Sequence, residues 1–222
     1  MPTFQAEEAV HYDNRITRLV PGYELLHQLT TAQLQVLLPE QAQILVVGAG
    51  TGKELMMLAS QQPQWQFVAQ DISADMLAIA HQAAVAAKVD DRITFLPTPL
   101  VRGQRQYDAV LCLLVLHFLP DNGDKADLLA AMASQLKVGG QLFLADLMAP
   151  HSGFEREAQL TVCKTLGLSD VGVERMRHNL THEFYPLDNM RLAELLDNAG
   201  FDTAKPYFQA LGFAAITSRA LP

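Results

Sequence analysis

Hydrophobic residues in this chain come in short runs, separated by segments with helical spacing. The runs "ILVVG" (44–48), "WQFVAQD" (65–71), "RITFL" (92–96), "YDAVLCLLV" (107–115) and "GQLFLADL" (140–147) have the length and the Val, Leu and Phe content of strands buried on both faces. Between them, residues 52–60, 74–87 and 124–136 carry apolar positions three and four apart, the stripe of an amphipathic helix. Ser73 or Asp75 is placed to cap the second helix, and "VGG" at 138–140 to close the third. Strand and helix in alternation, with connections long enough for crossovers, predict an α/β fold with a doubly wound, mostly parallel sheet. "DNMRLAELLDNAG" then predicts a helix ended by Gly200, and "FDTAKPYF" and "GFAAITSR" two closing strands, seven in all.

Two flanking pieces do not follow the alternation. "NRITRLVPGYELLHQLTTAQLQVLL" reads as a Pro21-Gly22 break followed by an amphipathic helix, and "HSGFEREAQLTVCKTLGLSDVGVERMRHNLTHEFYPL" as further helix broken by glycines. Neither carries enough apolar residues for a core of its own, so both are expected to cap one edge of the sheet. The whole chain, 1–222, is therefore read as a single domain: an N-terminal helical cap (1–43), the alternating core (44–150), a helical cap (151–185) and a closing helix and hairpin (186–222).

Composition narrows the partners. A net charge of −8 gives no standing attraction for polyanions, so nucleic acid is not favoured. Cys112 and Cys163 lie too far apart for a metal-ligand pair and suit a reducing compartment. The opening "MPTFQAEEAVHYDN", with Glu7 and Glu8, has no apolar run, and no segment reaches the about 20 apolar residues of a membrane helix. A cytoplasmic protein with no membrane attachment is expected. His178 and His182 share a helical face, but Glu183 follows the pair instead of standing inside it, and no third ligand has the right spacing.

The chemistry centres on Gly48, Ala49, Gly50, Thr51, Gly52 and Lys53. A Walker A loop needs four residues before its Gly-Lys pair and a hydroxyl after it; here there are three, and Glu54 follows. A dinucleotide fingerprint needs glycine where Lys53 stands. The remaining pattern, G-x-G-x-G on a strand-to-helix turn, lets backbone approach an uncharged group such as a ribose and offers amides to a carboxylate. Asp71, at the end of the second strand, is placed to accept both ribose hydroxyls.

The glycine turn, the strand-end acid in "DISADML", "YDAVLCLLVLHFL" and "LKVGGQLFLAD", in that order, resemble the class I S-adenosylmethionine-dependent methyltransferase family over residues 44–146. The resemblance implies a Rossmann-like sheet of order 3-2-1-4-5-7-6 with the last strand antiparallel. It also implies S-adenosylmethionine across the carboxyl ends of strands 1, 2 and 4. The segments "RLVPGYELL", "LLVLHFLP" and "AGFDTAKPYFQALGFAAI" are similar to the branch containing carboxy-S-adenosylmethionine synthase, in which the tyrosine after Pro-Gly touches the cofactor, here Tyr23. In that branch an arginine holds the carboxylate of a carboxylated cofactor, and ungapped counting places it at Arg177. The chain departs from the synthase at Pro99, where an acidic residue reads adenine, and at Leu113, where strand 4 has asparagine.

The expected cofactor site is thus Tyr23, the Gly48, Ala49, Gly50 and Gly52 turn, Asp71, Ile72 and Met76, with apolar walls from Pro99, Leu100, Leu113 and Leu114. The expected function is in-line methyl transfer to a small-molecule acceptor, a task of positioning an already activated electrophile. His117, after strand 4, is the candidate base if the acceptor is a hydroxyl; the plainer reading ties it to backbone beneath the next helix. Arg177, near Arg175 and His178, is the candidate for an acidic substrate group, and Tyr12 a second ring that closes the site. A carboxy-cofactor synthase and a non-catalytic cofactor sensor are the alternatives. A homodimer is expected only through the branch resemblance.

Overall fold

A computed structural model describes residues 11–150 and 152–222. The opening residues with Glu7 and Glu8, and His151 at the boundary of the second cap, lie outside the described residues. Two helices come first, α1 (Tyr12–Leu19) and α2 (Tyr23–Leu37), joined at Gly22, whose φ of 76° only glycine adopts readily. Then follow β1 (Gln43–Val47), α3 (Lys53–Gln61), β2 (Gln66–Gln70), α4 (Ala74–Ala87), β3 (Ile93–Leu96) and β4 (Tyr107–Leu113). The chain continues through α5 (Asp124–Gln135), β5 (Leu136–Leu147), α6 (Gly153–Thr165), α7 (Asp170–His182), α8 (Asn189–Asn198), β6 (Lys205–Ala210) and β7 (Phe213–Arg219). No helix among the described residues is long and apolar enough to cross a membrane.

The strands form one sheet of order β3-β2-β1-β4-β5-β7-β6, with β7 antiparallel to both its neighbours, as expected. Side-chain alternation divides the core between the two faces. Leu45 and Val47 of β1 point to the side covered by α5 and α8, where Leu129, Met132, Leu195 and Leu196 are buried. Ile44 and Val46 point to the side covered by α2, α3 and α4, with Leu34, Leu55, Leu58 and Ala84. A strand used on both faces must be apolar throughout, which is why the runs are continuous.

Two expectations need correction. "VGG" does not close a helix: α5 ends at Gln135, and 138–140 lie inside β5, where Gly139 has φ 77° and donates its N–H to the Ala220 carbonyl. Leu136 pairs with Tyr107 of β4, so the sheet takes over the chain before the glycines are reached. Only α2 of the cap helices reaches an edge strand, β6, where Thr30 Oγ1 lies 2.8 Å from the Tyr207 hydroxyl. Instead α1, α6 and α7 pack over the carboxyl ends of β4 and β5, where Ile16, Leu160, Met176 and Leu180 are buried with Leu113, Leu114 and Leu147.

Trp65 is the largest fully buried side chain, packed below α3 with its Nε1 donating to the Pro39 carbonyl at 3.0 Å. Trp65→Ala leaves a cavity and an unpaired carbonyl, and is expected to cost about 3–5 kcal/mol of folding stability, read as a lower urea midpoint by circular dichroism.

Candidate active site

Parallel pairing brings the ends of β1, β2 and β4 together. Asp71 follows β2 and its carboxylate is fixed from two directions: Oδ2 accepts from the Gly50 N–H at 2.9 Å, and Oδ1 from the Ser73 N–H at 2.8 Å. Ser73 also caps α4 by accepting from the Met76 N–H, the expected cap, so Asp75 is not needed. Gly48, Gly50 and Gly52 have φ of 67°, 53° and 81°. At Gly48 a Cβ would stand 2.4 Å from Val115 Cγ2, so no other residue fits; at Gly50 it would meet nothing nearer than 4.0 Å, which leaves that backbone open to a ligand.

A cavity of about 470 Å³ opens here. Of the expected cofactor residues, Gly48, Gly50, Asp71, Ile72, Met76, Pro99, Leu100, Leu113 and Leu114 line it. Ala49, Gly52 and Tyr23 do not. Ala49 is buried with its N–H on the Gln70 carbonyl, and Gly52 starts α3 against Ala80, so both shape the bend from behind. Tyr23 is a correction: it is buried under the bend, edge-on to His27 at 4.4 Å, and Tyr12 of α1 lines the cavity instead. The turn at Gly22 points the start of α2 into the core, while α1 runs across the opening. Polar groups that the motifs did not announce also line this cavity: Gln70, whose amide donates to the Thr98 carbonyl at 2.6 Å, and Arg102, Asp124 and Asp127.

A second cavity, about 750 Å³, lies under the cap and shares Tyr12, Leu114 and Phe118 with the first. Leu114 has φ 63°, a conformation that costs a branched side chain about 1–2 kcal/mol, and its N–H is held by the Ala145 carbonyl of β5. This bend carries the chain to His117, which is 6% exposed and lines the second cavity. Its Nδ1 lies 2.5 Å from Oδ1 of Asp146, itself 4% exposed. The plainer expectation of a backbone-bonded histidine is corrected: the ring's partner is a carboxylate. The register of β4 on β5, Leu113 beside Ala145, brings the pair together. Asp146 ends the apolar run "GQLFLAD" as Asp71 ends "FVAQD", and that parallel was the available signal for it. Lys125, fully buried, fastens this turn by donating to the Leu116 carbonyl at 2.5 Å and the Tyr185 carbonyl at 2.7 Å.

Arg177 is the second correction among the site residues. It lies on the outer face of α7, paired with Glu157 through its two terminal guanidinium nitrogens and with Nε near Glu174, and lines neither cavity. The inward stripe of α7 is Gly172, Arg175, Met176 and Asn179, so the residue two places earlier faces the cavity. His178 also lines it and stands 3.9 Å from Glu183.

A sheet of this order with a glycine bend and a fixed strand-end carboxylate defines a Rossmann-like enzyme that binds a nucleoside. A family model described as a methyltransferase domain matches residues 45–142. Carboxy-S-adenosyl-L-methionine synthase of Desulfotalea psychrophila is 23% identical over 92% of this chain and 86% of its own. Ubiquinone biosynthesis O-methyltransferase of Xanthomonas axonopodis pv. citri is 29% identical over 79% of this chain and 70% of its own. Magnesium protoporphyrin IX methyltransferase from Synechocystis PCC 6803, solved with bound SAH, shares the fold with a TM-score of 0.65 at 19% identity, over 90% of this chain and 84% of that one. The chain carries a methyltransferase domain and is an S-adenosylmethionine-dependent methyltransferase, an enzyme that uses S-adenosylmethionine.

Behind the bend, Glu54 is 7% exposed, and burial, opposed by a backbone hydrogen bond and reinforced by Asp71 and Asp13, pushes its pKa from 4.5 up to about 7. The folded chain therefore holds a proton that the unfolded chain releases at lower pH. Stability is complete below the unfolded value and falls as pH rises through the folded one, a loss of about 3 kcal/mol by linkage. Urea unfolding between roughly pH 5 and pH 8 is expected to show this decline, and Glu54→Gln to remove most of it.

Proposed function

We propose that the protein transfers a methyl group from S-adenosylmethionine to a hydroxyl of a small-molecule acceptor bound under the cap. The observation that carries this reading is the buried His117–Asp146 pair in the wall of a cavity that shares Tyr12, Leu114 and Phe118 with the cavity at the glycine bend. The residues at the bend suit the cofactor. The Asp71 carboxylate, oriented by two backbone amides, keeps lone pairs free for the ribose hydroxyls, and Pro99, Leu100, Leu113 and Leu114 offer apolar walls for adenine. When bound, S-adenosylmethionine supplies a methyl group on a sulfonium whose sulfur keeps the S–C bonding pair as the methyl leaves.

The chain's own part is to hold the acceptor in line and take up its proton. A carboxylate only accepts hydrogen bonds, so Nδ1 of His117 carries the proton and donates to Asp146. Nε2 of the neutral ring then has its lone pair for the hydroxyl proton, which it accepts as the acceptor oxygen forms the O–CH₃ bond. Asp146 orients the ring and stabilises the imidazolium that results.

The length of the match to the carboxy-cofactor synthase favours a second reading, in which the bound cofactor is carboxylated. The arginine expected for it, Arg177, is engaged by Glu157, and the arginine of α7 that faces the cavity is Arg175. Native mass spectrometry of the purified protein separates the two: the mass of ordinary S-adenosylmethionine or its demethylated product supports methyl transfer, and the carboxylated mass the alternative.

Asp71→Asn is expected to weaken S-adenosylhomocysteine binding about ten- to a hundred-fold by calorimetry, because a neutral amide replaces charge-assisted acceptance. His117→Ala is expected to lower single-turnover methyl transfer to a hydroxyl acceptor about a hundred- to ten-thousand-fold while cofactor affinity stays within about twofold. An undiminished rate removes the base from the mechanism.

A further inference from the structure

The second cavity has a cationic lining on a chain whose net charge is −8. Helices α1 and α7 each turn one stripe toward it: Tyr12, Arg15, Ile16 and Leu19 from α1, and Gly172, Arg175, Met176 and Asn179 from α7. Both stripes follow i, i+3, i+4, i+7, the spacing of a single helical face, and each places an arginine at its second position. On the outer surface Arg177, Arg191 and Arg219 are matched by carboxylates. Arg15 and Arg175 have no ion-pair partner among the described residues. The one carboxylate in this lining, Glu183, stands beside His178.

The remaining wall is apolar and aromatic: Phe118 and Phe184, edge to face at 5.4 Å, with Tyr185, Phe213, Leu147 and Leu168. Phe118 and Phe184 also flank the imidazole of His117, at 4.1 and 4.9 Å between ring centroids. A planar ring resting on these side chains would present a substituent to the His117–Asp146 pair. On a chain of net charge −8, two guanidiniums with no ion-pair partner among the described residues, over an apolar chamber, select an anion that carries its own apolar body. The volume, about 750 Å³, is that of a site for one organic molecule of ordinary metabolite size.

We infer that the acceptor is a hydroxylated aromatic acid, its hydroxyl delivered to His117 and its carboxylate received by Arg15 and Arg175. This rests on the methyl-transfer reading and deepens it. It places specificity on the two cap helices and chemistry on the sheet. The arginines touch the far end of the acceptor and take no part in the proton transfer.

The test uses matched pairs that differ in the acid: protocatechuic acid against catechol, and caffeic acid against its methyl ester. Binding is measured by calorimetry to the protein saturated with S-adenosylhomocysteine, which permits no turnover, and methyl transfer is measured separately with S-adenosylmethionine. Each acid is expected to bind at least tenfold more tightly than its neutral partner, with the ratio falling as salt is raised. Arg15→Gln and Arg175→Gln are each expected to reduce that ratio several-fold, and the double variant to bring it near one. Equal binding of acid and neutral partner, or a ratio untouched in the double variant, overturns the acid preference. If catechol is still methylated through His117 in that case, the methyl-transfer reading stands; if neither member of either pair is bound or methylated while the cofactor is, both fall.

Discussion

The carboxylate of Asp71 is held between two backbone amides, one from the glycine bend after β1 and one from the start of α4. That pair of hydrogen bonds ties together two crossovers that are separate in sequence, and it fixes the direction of a carboxylate in the wall of the first cavity. The bend is possible because Gly48, Gly50 and Gly52 take left-handed backbone that other residues enter at a cost. The acid is present at that point because β2 runs parallel to β1 in register, Val47 beside Gln70. In the proposed function, cofactor position, and through it the position of everything the acceptor must reach, follows from this link.

A second link of the same kind lies one strand pair away. β4 and β5 end side by side, and both ends lead to chemistry: Leu114, just after β4, turns the chain toward His117, and Asp146, next to last in β5, receives the imidazole. Both strand-end carboxylates are reached by a neighbouring crossover, one through amides and one through a ring nitrogen. The difference suits their tasks. Asp71 keeps its charge available to a ligand, whereas Asp146 uses its charge to set the tautomer of a base. Lys125 ties the His117 turn to Tyr185, so the cap and this turn are fastened to a common point.

The parts of this arrangement that were legible in the sequence are those governed by local rules. Continuous apolar runs marked strands buried on two faces, and the order of glycine turn and acid marked the first cavity, including Ile72, Met76 and the walls at 99–100 and 113–114. What could not be read depends on phase and on contact. Arg175 and Arg177 differ by about 200° around a helix, so counting back from "AGF" without knowing the phase of α7 chose the outer residue. Tyr12 and Tyr23 flank a turn whose direction is set by Gly22 packing against Phe208, far away in sequence. The partner of His117 is 29 residues distant and became visible only through strand register. The glycines at 139 and 140 misled because a glycine after a helical stretch serves equally well as a stop or as an irregularity within a strand.

A crystal structure of the protein with S-adenosylhomocysteine tests the central claim most directly. The account predicts the ribose hydroxyls on the Asp71 carboxylate with its bonds to Gly50 and Ser73 intact, adenine between the 99–100 and 113–114 walls, and the thioether facing Tyr12, Leu114 and Phe118. Ligand bound elsewhere, with the Gly48 to Gly52 bend bare, contradicts it.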